Sequence, residues 1–117
     1  MACTVLYSPQ FQRAHPEFID EQVRVRAQHP IPARVFRDQL AAMAASSAVW
    51  DRLPEIIART LVMHGTADVV SPFENAGLLA RRIPGARLRP FAEAGHLFFH
   101  ERADESARVI SEFLREV

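Results

Sequence analysis

Only one cysteine, Cys3, occurs in the 117 residues, so the chain forms no internal disulfide and no thiolate zinc cluster by itself. A reducing, cytosolic setting suits that composition. Charge of one sign is missing as well. Fourteen basic side chains balance fourteen acidic ones, which leaves no net field to attract nucleic acid or an anionic membrane surface. No apolar run approaches the roughly 20 residues that span a bilayer, and no basic stretch leads into a long apolar one at the N-terminus. The expectation is a cytoplasmic protein with no signal peptide and no membrane-embedded segment. Also lacking is any Gly-x-Ser-x-Gly, the tight turn that lifts a serine nucleophile out of a strand.

What is present suits a folded soluble chain, with 49% hydrophobic and 24% charged residues. Ala2 to Tyr7 is a short apolar, β-prone run, a candidate N-terminal strand. Pro16 suits the first turn of a helix whose apolar positions are Phe18, Ile19 and Val23, and His29-Pro30-Ile31-Pro32 ends it. From Pro32 to about Ser47, Val35, Phe36, Leu40, Met43 and Ala44 recur at helical spacing and predict a helix with one buried face. Phe36 and Met43 could line a pocket, although residues on such a stripe are more often core. Trp50, Leu53 and Ile56 continue the apolar contacts through a connection that Pro54 keeps from being a long helix.

The pattern changes after Arg59. Thr60-Leu61-Val62-Met63-His64 reads as a strand covered on both faces and stopped by Gly65. Ser71-Pro72 reads as an N-cap followed by a helix-opening proline. The helix then runs through Arg82, with Phe73, Ala76, Leu79, Ala80 and Ile83 on its apolar side. Pro84-Gly85 turns the chain into a second strand, Ala86 to Phe91, where Pro90 points to a sheet edge. A last helix, about Ala103 to Arg115, places Ala107, Ile110, Phe113 and Leu114 on one face. The order β, α, β, α predicts parallel strands joined by a helical crossover. Two strands make a poor sheet, and the only further candidate is the weak one at the N-terminus.

The chemistry concentrates in two turns. Asp68 closes His64-Gly65-Thr66-Ala67-Asp68 after the first strand, and His96 closes Glu93-Ala94-Gly95-His96 after the second. A carboxylate that orients an imidazole forms the acid and base of a hydrolytic triad. Taken alone, Asp68 is more often a turn cap than a catalytic acid, and His96 more often a satisfied loop histidine. His64 reads as a packing or hydrogen-bonding residue. His100, close behind His96, raises the thought of a metal, but no helical His-x-x-x-His face accompanies it, and neither metal nor cofactor is expected. Ser8, Ser46, Ser47, Ser71 and Ser106 lack the glycine-flanked turn of a nucleophile, and Cys3 lacks an activating environment.

Several stretches together carry a resemblance. They are Arg52-Leu53-Pro54-Glu55-Ile56, Thr60 through Pro72, Ile83-Pro84-Gly85-Ala86-Arg87-Leu88, Ala94-Gly95-His96-Leu97-Phe98-Phe99 and the closing amphipathic helix. The chain resembles the C-terminal part of the α/β-hydrolase fold family, and is similar to its enol-lactonase-like and general ester hydrolase members. The resemblance implies an α/β fold: part of a three-layer sandwich, with two or three mainly parallel strands between flanking helices. Residues 53–117 would form the βαβα part of that core, and residues 1–52 a helical cap segment with a possible short N-terminal strand. It also implies Asp68 as triad acid and His96 as general base. The first strands, the oxyanion loop and the nucleophile turn would lie outside this chain, making it a truncated or split form with little activity alone.

On that footing the substrate is a small ester- or lactone-like carbonyl compound, attacked by a nucleophile from an N-terminal-half partner. Relatives with aspartate at that turn act on epoxides or halides, so the acid and histidine alone do not separate these reactions. The alternative is a non-catalytic binding or assembly module that pairs with itself or another chain through an exposed strand edge and the apolar cap face.

Overall fold

The computed structural model describes residues 3–116. Its sheet has two strands, β1 (Leu61–Gly65) and β2 (Arg87–Phe91), connected through helix α4 (Phe73–Arg82). The strands are parallel, in register from Leu61↔Arg87 to Gly65↔Phe91. A helix packed back across the sheet returns the chain to the edge where it started, so the second strand runs the same way as the first. Both strand C-termini, and the loops that leave them, therefore lie at one edge.

Helix α4 buries Ala76 and half-buries Phe73, Leu79 and Ala80, and Ile83 is buried just past its end. That is the face its spacing predicts. Its start differs by one residue from the expectation: Pro72 is the N-cap, with ψ 138°, and no side chain caps the helix. Ser71 instead gives its backbone N–H to the Asp68 carboxylate. The turn into β2 uses Gly85 at φ 68°, a conformation that glycine adopts without cost.

Ahead of the sheet come a 3-10 turn (Cys3–Leu6), α1 (Pro9–Ala14), α2 (Pro16–Gln28), α3 (Ala33–Ala45) and a 3-10 segment (Ser46–Glu55). After it come α5 (Phe98–Glu101) and α6 (Ala103–Arg115). The N-terminal strand expected over Ala2 to Tyr7 is not formed: Cys3–Leu6 is helical and the Tyr7 N–H bonds back to the Thr4 carbonyl. Met1 and Ala2 lie outside the described residues. The run is too short to extend before Ser8-Pro9 opens α1, with the Ser8 hydroxyl accepting from the Phe11 N–H at 3.1 Å.

Tyr7 and Ile19 are buried against Leu6, Phe11 and Leu97. Phe91, 1% exposed at the end of β2, stacks on Phe98 at 4.7 Å between ring centroids. Three apolar surfaces depart from expectation. On α3, Phe36, Leu40 and Met43 are exposed rather than buried, and only Val35 is half-covered. On α6 the inward face carries Ser106 and Val109, while Ala107, Ile110 and Leu114 face outward. The residues Leu61 to His64 of β1 are half-buried rather than covered on both faces. Amphipathic spacing shows which residues share a face, but burial needs an opposing surface, and the described residues cover these faces only in part. As Pro90 suggests, β2 is an edge strand among the described residues, and Arg87 and Arg89 on it pair with Glu116 and Glu105 at 2.7 and 2.9 Å.

Candidate acid–base site

The loops that follow β1 and β2 meet at the shared sheet edge, and four backbone features join them. The Thr66 N–H reaches the Phe91 carbonyl at 2.9 Å, and the Ala67 N–H the Ala94 carbonyl at 2.9 Å. The Glu93 N–H reaches the Thr66 hydroxyl at 2.8 Å, holding Glu93 at φ 58°, a left-handed conformation that costs a non-glycine residue about 1 kcal/mol. The fourth feature is Gly65, where a side chain would be driven into the Ala94 and Gly95 carbonyl oxygens. Glycine is needed there for close approach of the loops rather than for an unusual dihedral.

This junction brings Asp68 and His96 together. His96 Nδ1 lies 2.9 Å from Asp68 Oδ2. A carboxylate only accepts, so Nδ1 carries the proton and, in the neutral ring, Nε2 is the nitrogen with the lone pair. No partner for Nε2 occurs among the described residues, and 39% of the His96 side chain faces solvent. The Asp68 side chain is only 3% exposed. Its other oxygen, Oδ1, accepts from the Val70 and Ser71 N–H groups at 2.8 and 3.0 Å.

Burial pushes the Asp68 pKa upward, but the Ser71 amide, the His96 ring and the Val70 amide together outweigh it and hold the carboxyl below the ordinary aspartate value. The site is therefore an ionised, fixed carboxylate beneath an imidazole whose outer nitrogen is free to take a proton.

The other candidates fall elsewhere. His64 turns Nδ1 toward its own strand's end, 2.9 Å from the Gly65 carbonyl, and packs edge-on to Phe73. Its Nε2 stands 3.5 Å from Asp68 Oδ2, beyond an ordinary hydrogen bond. His100 pairs with the Tyr7 hydroxyl at 3.0 Å. Ser71 contributes its backbone to Asp68, and Ser106 is buried with no partner for its hydroxyl. The side chains of Cys3, Ser46 and Ser47 lie outside what is described. Among the described residues no three His, Cys, Asp or Glu side chains gather as metal ligands, and no helix is long and apolar enough to cross a membrane.

Two residues acquire roles that the motifs did not suggest. Ser8 bonds to Glu101 through both its amide, at 2.6 Å, and its hydroxyl, at 2.8 Å, and Glu101 also accepts from the Gly95 N–H at 3.1 Å. No local signal marks either residue: Ser8 looks like a helix cap, and Glu101 is one acid among fourteen acidic residues.

No protein-family model matches the sequence. Over 80 residues the chain is 39% identical to a 2-hydroxy-6-oxo-6-phenylhexa-2,4-dienoate hydrolase of Comamonas testosteroni, a match covering 66% of this chain and 28% of that enzyme. A thermophilic esterase from Thermogutta terrifontis superposes with a TM-score of 0.75 at 32% identity, over 97% of this chain and 41% of the esterase. MGS-M2, an alpha/beta hydrolase enzyme from a Medee basin deep-sea metagenome library, has the same fold, with a TM-score of 0.79 at 22% identity over 97% of this chain and 42% of that one. The chain has the α/β-hydrolase fold, the fold of the hydrolases and esterases it is similar to, and its two parallel strands and flanking helices match a C-terminal portion of it. Its matched length is well under a third of the curated relative, at 28%.

Proposed function

We propose that this chain carries the acid and base of a hydrolase that cleaves ester- or lactone-like carbonyl substrates by the Ser-His-Asp mechanism, with Asp68 as the acid and His96 as the base. The observation that carries the reading is the 2.9 Å contact between His96 Nδ1 and a buried Asp68 oxygen, with Nε2 left unbonded among the described residues. A nucleophile on a part of the enzyme beyond these residues attacks the carbonyl carbon, and His96 Nε2 takes its proton. Asp68 holds the tautomer and stabilises the imidazolium, and the proton then passes to the leaving group. Residues 1–52 serve as a cap, with Phe36 and Met43 of α3 as the candidates to line an apolar pocket. By itself the chain hydrolyses little, because nucleophile and oxyanion donors supply most of the rate.

A chimera tests this. The chain replaces the matching segment of the Thermogutta esterase, and turnover of a chromogenic short-chain ester is measured. Turnover lost in both His96→Ala and Asp68→Asn is the expected result. A folded, active chimera whose rate is indifferent to His96→Ala defeats the assignment. The isolated chain is assayed beside it, and His96-dependent turnover there places a nucleophile within these residues, against the proposal.

A second reading, an assembly module, draws on the exposed apolar side chains Ile57, Ile110 and Leu114, which are 101%, 43% and 66% exposed. Sedimentation distinguishes the two, since a monodisperse monomer at high concentration removes the motive for self-association.

A further inference from the structure

We propose that Glu101 is a positioning residue for His96, acting as a clamp that fixes the histidine loop against the segment around Ser8. The proposal rests on His96 being the base of the site. His96 is flanked by two backbone amides, and both are held by groups outside its own loop. The Gly95 N–H donates to Glu101 Oε1 at 3.1 Å, and the Leu97 N–H to the Leu6 carbonyl at 2.9 Å. The same Glu101 carboxylate takes the Ser8 amide on Oε1 and the Ser8 hydroxyl on Oε2, so one side chain joins the residue before His96 to a segment 93 residues away from it in sequence. Ser8 is 2% exposed, so water competes little for these bonds.

The junction also has no slack. A Cβ placed on Gly95 would stand 2.6 Å from the Ser8 nitrogen, 2.8 Å from the Tyr7 carbonyl carbon and 3.0 Å from Glu101 Oε1. Gly95 therefore lies directly against the strap that Glu101 secures. On the opposite side the Ala94 carbonyl is tied to the Ala67 N–H of the Asp68 loop. The histidine loop is thus gripped from both sides, by the acid loop and by the clamp. Loosening one grip lets the imidazole swing away from Asp68, and a hydrogen bond of 2.9 Å does not survive a displacement of about 1 Å.

The test uses the 117-residue chain and reads the ring rather than turnover. Solvent exchange of the His96 Nδ1 proton and of the Gly95 amide is measured by NMR in wild type, Glu101→Asp, Glu101→Gln and Ser8→Ala, with urea midpoints recorded for each. Glu101→Asp keeps the charge but withdraws the acceptor by one methylene, and exchange of both protons accelerates by about tenfold or more. Glu101→Gln keeps an oxygen within reach of both amides and stays within about threefold of wild type. Ser8→Ala loses its cap and so lowers the urea midpoint, but it retains the amide bonds to Oε1 and leaves His96 exchange near wild type.

Wild-type exchange in Glu101→Asp overturns the clamp. So does an acceleration that follows the urea midpoint equally in Glu101→Asp and Ser8→Ala, because that describes general loosening, and so does a failure of Glu101→Gln to preserve the ring proton. None of these readings requires a substrate. A chimera without His96-dependent turnover strikes the hydrolase reading and leaves the clamp standing, and wild-type exchange does the reverse.

Discussion

Replacing Gly65 with alanine should pull Asp68 and His96 apart without altering either. The new methyl would be driven into the carbonyl oxygens of Ala94 and Gly95, and would lie 2.8 Å from the Ala94 carbonyl carbon. These are backbone atoms on a loop already bonded to the Asp68 loop, so no side chain can rotate away to make room. Ordinary contact between such atoms needs about 3.5 Å or more, which asks the histidine loop to retreat by roughly 1 Å. That retreat stretches the 2.9 Å bond from the Ala67 N–H to the Ala94 carbonyl and, beyond it, the His96–Asp68 bond. Overpacking costs about 1–3 kcal/mol and a lost hydrogen bond about 0.5–1.5 kcal/mol, together roughly 1.5–4.5 kcal/mol. With a urea dependence of about 1–3 kcal/mol per molar for a small domain, the unfolding midpoint should fall by about 0.5 M or more.

The assay pairs urea denaturation with NMR observation of the His96 Nδ1 proton, which should exchange rapidly or vanish in Gly65→Ala. Gly85→Ala is the control. Gly85 has φ 68° and open space around a would-be Cβ, so alanine there should cost about 1–2 kcal/mol through strain and leave the ring proton in place. A Gly65→Ala chain with an unchanged midpoint and an intact ring proton would refute the reasoning, because the two loops would not be in contact at that residue.

Stability should also weaken in acid partly through Asp68. Its folded-state pKa is depressed, so as pH falls the unfolded chain takes up the proton first. The contribution is complete above the unfolded value of about 3.9 and is lost as pH falls through the folded one. Glu21 and Glu105 are depressed as well and act in the same direction, so the diagnostic quantity is a difference. Urea midpoints between about pH 2 and 6 should show a shallower acid limb in Asp68→Asn than in wild type, and identical slopes would exclude the effect. Ser106→Ala should be neutral or stabilising by up to about 1 kcal/mol, since the buried hydroxyl has no partner; a loss of more than about 1 kcal/mol by urea denaturation would show that it has one.

The alternation from Thr60 onward is legible in the sequence because its signals are local. A five-residue apolar run, a glycine stop, a proline near the helix start and Pro84-Gly85 each act over a few neighbouring residues, and β1, α4 and β2 lie within a residue or so of their expected positions. The meeting of Asp68 and His96 follows from the same local signals. Once the strands are parallel, the turns after them share an edge, and no long-range information is needed to bring a carboxylate and an imidazole together there.

What escapes the sequence is whatever depends on an opposing surface. The stripes on α3 and α6 satisfy helical periodicity, yet Met43 is 71% exposed and Leu114 is 66% exposed, because spacing defines a face without supplying its cover. The same reasoning explains why Glu101 passed unnoticed. Its value lies in accepting three hydrogen bonds, two of them from a residue at the other end of the chain, and periodicity and motif spacing carry no information about such a partner. Asp68 and His96 are placed by strand direction, which is written locally, whereas the exactness of their contact is placed by packing between Gly65, Gly95, Ser8 and Glu101, which is not. A sequence bearing the His-Gly-Thr-Ala-Asp and Ala-Gly-His turns but not the residues that press the loops together would bring the pair to the same edge and leave the proton bridge unmade.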